Sequence, residues 1–177
     1  VRVTPDASDQ GRSVHATGVA GLEALNTGHT RLVGAGIKGQ AALLDHAAPE
    51  APQLFIDGLH IIPHADGTTA VGSTTERDYD DATGTDAQLD AVLARARAQV
   101  PALRDAPVLA RWAGLRPRSR SRAPMLGAWP GRPGHFIANG GFKIGFGMAP
   151  KVADVIADLL LEDRNTIPQG FEVAASL

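Results

Sequence analysis

The chain has 177 residues, 44% of them hydrophobic, and a formal net charge of −2 at pH 7. This composition supports a buried core rather than general disorder, and the slight negative charge argues against a nucleic acid as partner. Because the chain contains no cysteine, disulfides, thiolate metal sites and cysteine nucleophiles are excluded. No apolar run has the length of a membrane span and no signal segment follows Val1, so we expect a cytoplasmic protein without a transmembrane segment. The polar residues 1–10 indicate a start within a longer protein.

Short apolar stretches interrupted by glycines predict strands in the first part of the chain. Ala65-Asp66-Gly67 is a hairpin signal between two of them. The predicted strands comprise residues 14–18, 31–33, 37–44, 54–57, 59–63 and 69–73.

Two helices are predicted in the second part. Residues 86–100 place Leu89, Val92, Leu93 and Ala96 on one face, and Pro101 ends this helix. A second helix opens near Pro150, a residue favoured in a first turn, and buries apolar side chains from 152 to 160. Between them, residues 108–115 and 135–138 predict strands, the first with Trp112 in the core. Residues 116–134 predict mostly loop, and the tail from Arg164 an irregular segment. Antiparallel strands with two inserted helices predict the α+β class.

Residues 34–39 match the dinucleotide fingerprint GxGxxG, and Asp57 lies at about the distance of a ribose-binding acid. A phosphate loop needs a long helix directly behind it, with its N-terminus facing the pyrophosphate. Only residues 40–46 are available before Pro49 interrupts the pattern, and no further strand–helix repeats follow. We therefore favour a glycine-containing strand over 37–44 with no helix starting at Lys38, and keep a nucleotide-binding protein as an alternative.

Four motifs, in order, resemble the glycine oxidases and their relatives in the D-amino-acid oxidase superfamily. The most specific is the hexapeptide from Trp112 to Pro117, Trp-Ala-Gly-Leu-Arg-Pro. The others are Ile-Lys-Gly-Gln at 37–40, the hairpin with His-Ile-Ile-Pro at 60–63 and Val-Gly-Ser-Thr at 71–74, and the glycine-rich run 139–145 with Ala-Pro at 149–150. Residues 14–18 resemble the last strand of the flavin domain. Three departures put the substrate preference in doubt: His60 replaces a tyrosine, Lys143 replaces an arginine, and the loop after Arg116 lacks the usual threonine and aspartate.

The resemblance implies an FAD-dependent oxidoreductase that oxidises the C–N bond of an amino acid or of a primary or secondary amine. A hydride would pass from the substrate α-carbon to flavin N5, giving an imine that hydrolyses. No protein acid or base is essential for this step, so no catalytic residue is assigned. The implied fold is a largely antiparallel substrate-binding domain plus the C-terminal strand, loop and helix of a Rossmann-like FAD-binding domain. Residues 1–28 would end the FAD-binding domain, 29–122 would form the substrate-binding domain, and 123–177 would return to the first.

Three residues are candidates for substrate binding. Arg116, after the apolar Leu115 at an expected strand end, can clamp a carboxylate with two parallel donors, and the alternative is a surface arginine of a basic loop. Lys143 can meet the same carboxylate or add positive charge near the flavin, or it is a solvated lysine. His60 can line the pocket opposite the flavin. A metal bound by His60 and His64 is disfavoured because a third ligand is lacking nearby.

The cofactor candidates follow from the same resemblance. Glycines let the backbone approach a flat ring closely and adopt positive φ, and the following helix can aim its positive end at the reduced flavin. The alternative for this run is an ordinary flexible loop. The residues assigned to FAD are Gly18, Gly140, Gly141, Phe142, Lys143, Ile144 and Gly145.

The expected partners are a small amine or amino-acid substrate and an N-terminal FAD-binding segment that precedes these residues in the family. The patterns leave open the substrate, the electron acceptor and a homo-oligomer. A flavin-free binding module on the same fold is the third hypothesis.

Overall fold

The computed structural model describes residues 11–177, so the polar segment 1–10 lies outside the described residues. The chain divides into two compact units. The first consists of the residues up to Gly36 together with Arg116–Leu177, and the second is Ile37–Leu115. Both division points fall inside strands, since β2 is Gly34–Asp45 and β6 is Val108–Ser119.

A five-stranded sheet in the order β3-β4-β5-β2-β6 carries the second unit. The three strands not yet defined are β3 (Leu54–Ile56), β4 (Leu59–Pro63) and β5 (Thr68–Gly72). β5 pairs antiparallel with both β2 and β4. The predicted β4–β5 hairpin is confirmed: Oδ1 of Asp66 accepts hydrogen bonds from the Thr68 amide at 3.0 Å and hydroxyl at 2.7 Å.

Helix α2 (Ala87–Gln99) covers this sheet, within the boundaries that the sequence predicts. The side chain of Asp86 caps it by accepting from the Gln88 amide at 2.9 Å. The expected face is buried, because spacings of three and four residues return side chains to one side of a helix. The resulting core joins Leu89, Val92, Leu93 and Ala96 to the sheet residues Ala42, Leu44, Leu59, Ile61 and Val71.

A polar cluster lies at the start of β2 in the same unit. The Lys38 ammonium is 3.6 Å from a Glu76 carboxylate oxygen, and both side chains are almost fully buried. The Gln40 side-chain amide donates to Glu76 at 3.0 Å and to Asp86 at 2.9 Å, and its carbonyl accepts from the Asp86 amide at 2.8 Å. The Thr74 hydroxyl also donates to Glu76. The cluster thereby connects β2 to the cap of α2.

The first unit has a three-stranded sheet in the order β1-β8-β7. β1 is Ser13–His15, β7 is Met125–Ala128 and β8 is His135–Asn139. β1 and β8 are parallel, and β7 and β8 are antiparallel. Helices α1 (Gly18–Asn26) and α3 (Gly145–Leu161) complete this unit. One cluster packs Leu22 and Leu25 of α1 with Val33, Met125 and Ile137, and another packs Leu126 with Val155 and Ile156 of α3.

Residues 34–39 are not a phosphate loop. They belong to β2, which continues to Asp45, and no helix starts at Lys38. A Cβ on Gly34 would lie 2.7 Å from the Arg118 carbonyl oxygen and 2.9 Å from a Leu22 methyl, so packing requires this glycine. The strand predicted over 37–44 is confirmed, and the nucleotide-binding alternative loses the helix N-terminus on which it depends.

Two predictions in this region are wrong. Residues 31–33 are not a strand, because the Asn26 side chain accepts from the Val33 amide at 2.7 Å and donates to the Gly34 carbonyl at 2.9 Å, occupying groups that a strand neighbour would use. Gly18 does not end a strand but begins α1, which the sequence analysis does not predict. Helix propensity is weak in this glycine-containing segment. The helix is instead stabilised by the burial of Leu22 and Leu25.

The loop predicted over 116–134 is partly wrong. β6 continues to Ser119, so Arg116 lies within a strand rather than at its end, and β7 follows. The hydrogen-bond partners come from distant segments. The backbone amide of Arg120 donates to the Val33 carbonyl at 2.8 Å, and the backbone amide of Phe142 donates to the Pro117 carbonyl at 3.0 Å. Such long-range pairing leaves no local signal.

Two further expectations are corrected. Helix α3 starts at Gly145, and Pro150 lies inside it rather than at its opening. The Met148 amide already donates to the Ile144 carbonyl at 3.0 Å, so the first turn forms ahead of the proline. Trp112 is 44% exposed on β6 and is not a core residue.

Candidate functional site

A cavity of about 590 Å³ lies in the first unit and brings together most of the predicted cofactor residues. Its wall contains Gly18, Gly140, Gly141, Phe142, Lys143 and Gly145. The seventh candidate, Ile144, is 52% exposed and is not part of the wall. The remaining wall is mostly apolar, with Val14 and Ala16 beside β1 and Phe146, Ala149 and Val152 on α3.

The glycine-rich segment is held against β6 and α1 by specific contacts. The Asn139 side-chain amide donates to the Gly18 carbonyl at 2.7 Å, and its oxygen accepts from the Gly140 amide at 2.7 Å. Gly140 has φ +73°, and a Cβ there would lie 2.8 Å from Cβ of Ser119. A glycine at 140 is therefore required twice, by its backbone angle and by the close approach of Ser119.

Cationic side chains surround Phe142 at the edge of this segment. The Lys143 ammonium lies 5.6 Å from the centre of the Phe142 ring, and the Arg118 guanidinium carbon lies 5.8 Å from it. Lys143 has a lowered pKa, chiefly because neighbouring atoms desolvate its ammonium and also because Arg116 lies near. Lys143 is an exposed residue of the cavity wall, whereas Arg116 lies on β6 next to the wall residue Pro117.

His60, the third substrate candidate, lies on β4 of the second unit. Gln53 Nε2 and His60 Nδ1 are 3.0 Å apart, and the Phe55 ring centre is 4.7 Å from that of His60. His64 is hydrogen bonded to the Thr68 hydroxyl at 3.0 Å. Within residues 11–177, no three His, Asp or Glu side chains are grouped so that they could hold a metal ion.

Several wall residues are absent from the sequence-based assignment. Phe146, Ala149, Val152 and Ile156 line the cavity from α3. Their spacing of three and four residues marks one helical face, which from the sequence is equally typical of a face buried in the core. Pro117 and Asn139 also lie in the wall, and their contacts depend on pairing that the sequence does not show.

Comparison with known proteins identifies the family. The family model described as DAO, FAD dependent oxidoreductase, matches residues 2–159. The chain belongs to this family. The glycine oxidase of Pseudomonas aeruginosa is 36% identical over 125 residues, which cover 70% of this chain and 34% of that protein. The glycine oxidase of Pseudomonas putida is 37% identical over 125 residues, with the same coverage.

Solved structures show the same fold. The glycine oxidase from Geobacillus kaustophilus superposes with a TM-score of 0.79 at 25% identity, over 92% of this chain and 45% of that one. The iminodiacetate oxidase from Chelativorans sp. BNC1 gives a TM-score of 0.78 at 24% identity, over 93% of this chain and 46% of that one. The α+β prediction is confirmed, as is the recognised family. The chain spans about a third of the length of the curated relatives it matches.

The cavity fits the isoalloxazine ring of FAD, the cofactor of the family. Ligand sites typically have volumes of roughly 300–1,000 Å³ and mainly apolar walls with few polar groups. Gly140 and Gly141 expose backbone on the wall, and the N-terminus of α3 at Gly145 borders it.

None of the helices formed by residues 11–177 combines the length and apolar content that a membrane span requires.

Proposed function

We propose that this chain supplies the substrate side and the flavin-facing wall of an FAD-dependent oxidase or dehydrogenase of amino acids or of primary or secondary amines. The observation that carries the proposal is a flavin-sized cavity walled by the glycine-rich segment with Lys143, in a chain of the DAO family. Arg116 lies on β6 next to the wall residue Pro117. The names of the matched glycine oxidases support an amino acid as substrate.

Arg116 is the principal carboxylate ligand in this proposal. A guanidinium offers two parallel donors in a fixed plane, which match the two oxygens of a carboxylate. Lys143, an exposed residue of the cavity wall, adds a second cation. Together they would hold the carboxylate and so orient the α-carbon.

When bound, FAD accepts a hydride at N5. The chain contributes position and environment. Gly18, Gly140, Gly141, Phe142 and Gly145 would contact the ring from the cavity wall, with Ile144 at its edge. The N-terminus of α3 directs partial positive charge toward the wall, which favours a ring that gains negative charge. Val152 and Ile156 of α3 give the same wall an apolar surface.

The remaining assignments are proposals of the same kind. His60 would line the substrate pocket. Residues 1–28 and 123–177 would belong to the FAD-binding domain, and 29–122 to the substrate-binding domain. An N-terminal FAD-binding segment and a cytoplasmic location are further expectations for the complete protein, whose oligomeric state stays open.

The test is Arg116→Ala in the complete, flavin-loaded protein. A shielded arginine–carboxylate pair is worth on the order of 2–4 kcal/mol, so we expect kcat/KM for amino acids to fall by roughly 30- to 1000-fold. Arg116→Lys should recover part of this loss, since a point charge cannot reproduce the planar fork. Amines without a carboxylate should be affected much less.

Arg111→Ala is the matched control, because Arg111 lies on the same strand and pairs with the exposed Asp90 at 2.7 Å. An equal loss for both substrate classes with flavin retained would assign Arg116 to the fold and make Lys143 the next candidate. A protein that binds no flavin and oxidises neither class would instead be a binding module.

A further inference from the structure

Phe142 has an unusual backbone for an aromatic residue. Its φ is +45°, in the left-handed region that bulky side chains rarely adopt. The backbone around it is fixed: its amide donates to the Pro117 carbonyl at 3.0 Å, Gly141 forms a bridge with Arg118, and the Ile144 amide donates to the Gly141 carbonyl at 2.9 Å. Glycine would satisfy this conformation with less strain. The turn alone therefore does not explain why an aromatic residue occupies this position.

The ring has two cationic neighbours. The Lys143 ammonium and the Arg118 guanidinium carbon lie 5.6 Å and 5.8 Å from the ring centre, both within the roughly 6 Å over which a cation is attracted to an aromatic face. Arg118 stands two residues from Arg116 on β6, so both side chains leave the same side of the strand. The ring thus contacts one cation from the strand that carries Arg116 and another from the glycine-rich segment.

We propose that Phe142 is a positioning residue that holds the Lys143 ammonium beside Arg116 and so contributes to the affinity of the site for a carboxylate. A cation–π contact favours the protonated ammonium and restricts a side chain that otherwise has four rotatable bonds. The part of this inference that concerns the carboxylate rests on the proposed function. The contact between Phe142 and Lys143 does not.

An alternative role for the ring has the opposite effect on Lys143. If Phe142 only shields the ammonium from water, its removal readmits water and raises the pKa of Lys143. If it stabilises the cation, its removal lowers that pKa further. The direction of the change therefore separates the two roles.

The experiment is an NMR titration of the lysine ammonium groups, with Phe142→Leu and Phe142→Tyr as the matched variants. The sequence contains three lysines, Lys38, Lys143 and Lys151, and Lys143→Arg assigns the signal. Leucine keeps an apolar side chain at the same φ but removes the aromatic face, and tyrosine keeps the face. We expect Phe142→Leu to weaken proton binding by Lys143 about two- to fivefold, with Phe142→Tyr and the exposed Lys151 unchanged.

A pKa of Lys143 that rises or stays constant in Phe142→Leu would overturn the inference, as would an equal drop in Phe142→Tyr. Kinetics of the complete, flavin-loaded protein supply the second readout. We expect Phe142→Leu to raise KM for amino acids about two- to fivefold more than KM for amines without a carboxylate. A loss of flavin contacts would affect both substrate classes alike. If wild-type protein oxidises no amino acid, the proposed function fails, while the titration still decides the role of Phe142.

Discussion

At the scale of single residues, two glycines near the cavity differ in whether a side chain would fit. Gly140 has φ +73° and a Cβ there would meet Ser119. Gly147 lies inside α3, and a Cβ there would meet nothing within 4 Å. The same substitution to alanine should therefore have opposite effects on the free energy of unfolding.

We expect Gly140→Ala to lower the free energy of unfolding by about 1–3 kcal/mol, because it combines a strained backbone angle with a steric clash. Gly147→Ala should raise it by about 0.5–1 kcal/mol, because alanine loses less conformational entropy in a helix. Urea denaturation of the two variants checks both signs. Equal effects would contradict the close approach at Ser119.

Residue chemistry was predictable from the sequence where a motif carried it. The glycine-rich run at 139–145 and Pro117 of the hexapeptide contribute to the cavity wall, whereas the binding roles assigned to Arg116 and Lys143 stay predictions. The reasons for individual glycines were not predictable. Gly34 serves packing against Leu22 and Arg118, although its sequence context matches a phosphate loop. Trp112 carried no signal that its face of β6 would be exposed.

At the scale of elements, a histidine pair joins β1 to β8. Nε2 of His15 lies 2.8 Å from Nδ1 of His135, and the Trp129 ring meets His15 edge-on at 4.8 Å. Only one proton can lie between the two nitrogens. The pKa of His15 is lowered by burial, by His135 and by Arg132, in that order.

Acid should weaken this junction. Because the pKa of His15 in the folded protein is below the value of about 6.5 for an unfolded histidine, the unfolded state binds more protons as pH falls below that value. The stabilisation is present above about pH 6.5 and is lost as pH falls through the folded pKa. We expect the free energy of unfolding to decline less below about pH 6.5 in His15→Gln than in the wild type.

Urea denaturation from about pH 8 to about pH 5 measures the effect. His29→Gln, which removes an exposed histidine, is the control and should retain the wild-type dependence. A wild-type slope in His15→Gln would mean that other groups govern the acid sensitivity.

Elements with their own periodicity were predicted, and elements made by distant partners were not. α2 has a capping aspartate, a regular apolar face and a proline after it, and its boundaries agree with the sequence prediction. α1, β7 and the last residues of β6 have weak local signals. α1 forms because Leu22 and Leu25 are buried in a hydrophobic core. β7 pairs with β8, and the end of β6 is paired through backbone hydrogen bonds with Val33 and Phe142.

At the scale of the whole molecule, the DAO family fold was predictable because four motifs occur in the family order, and the match extends over residues 2–159. The division at Gly36 and Leu115 was not predictable, since both points lie inside continuous strands. Hydrophobic patterning marks β2 and β6 as strands but does not mark where their partners change.

These 177 residues by themselves should bind flavins weakly and lack oxidase activity. Residues 34–39, which match the dinucleotide fingerprint, lie in strand β2. They therefore offer no helix N-terminus to a pyrophosphate. In the proposed function the cavity contacts the isoalloxazine ring, which FAD, FMN and riboflavin share. Titration with FAD, FMN and riboflavin should therefore give similar, weak affinities for all three. Much tighter binding of FAD would place an adenosine or pyrophosphate site within this chain.

The Lys38–Glu76 cluster favours one alignment of β2 with its neighbouring strands. Lys38, Gln40, Ala42 and Leu44 alternate along β2 and are all buried. A slip by one residue would turn this row to the opposite face, but a slip by two would preserve the alternation. Such a slip would move Gln40 into the apolar layer of Ala42 and Val71 and separate it from Glu76 and Asp86. Each buried polar group left without a partner costs about 1–3 kcal/mol, so the polar end of β2 excludes the misalignment that apolar packing alone would tolerate.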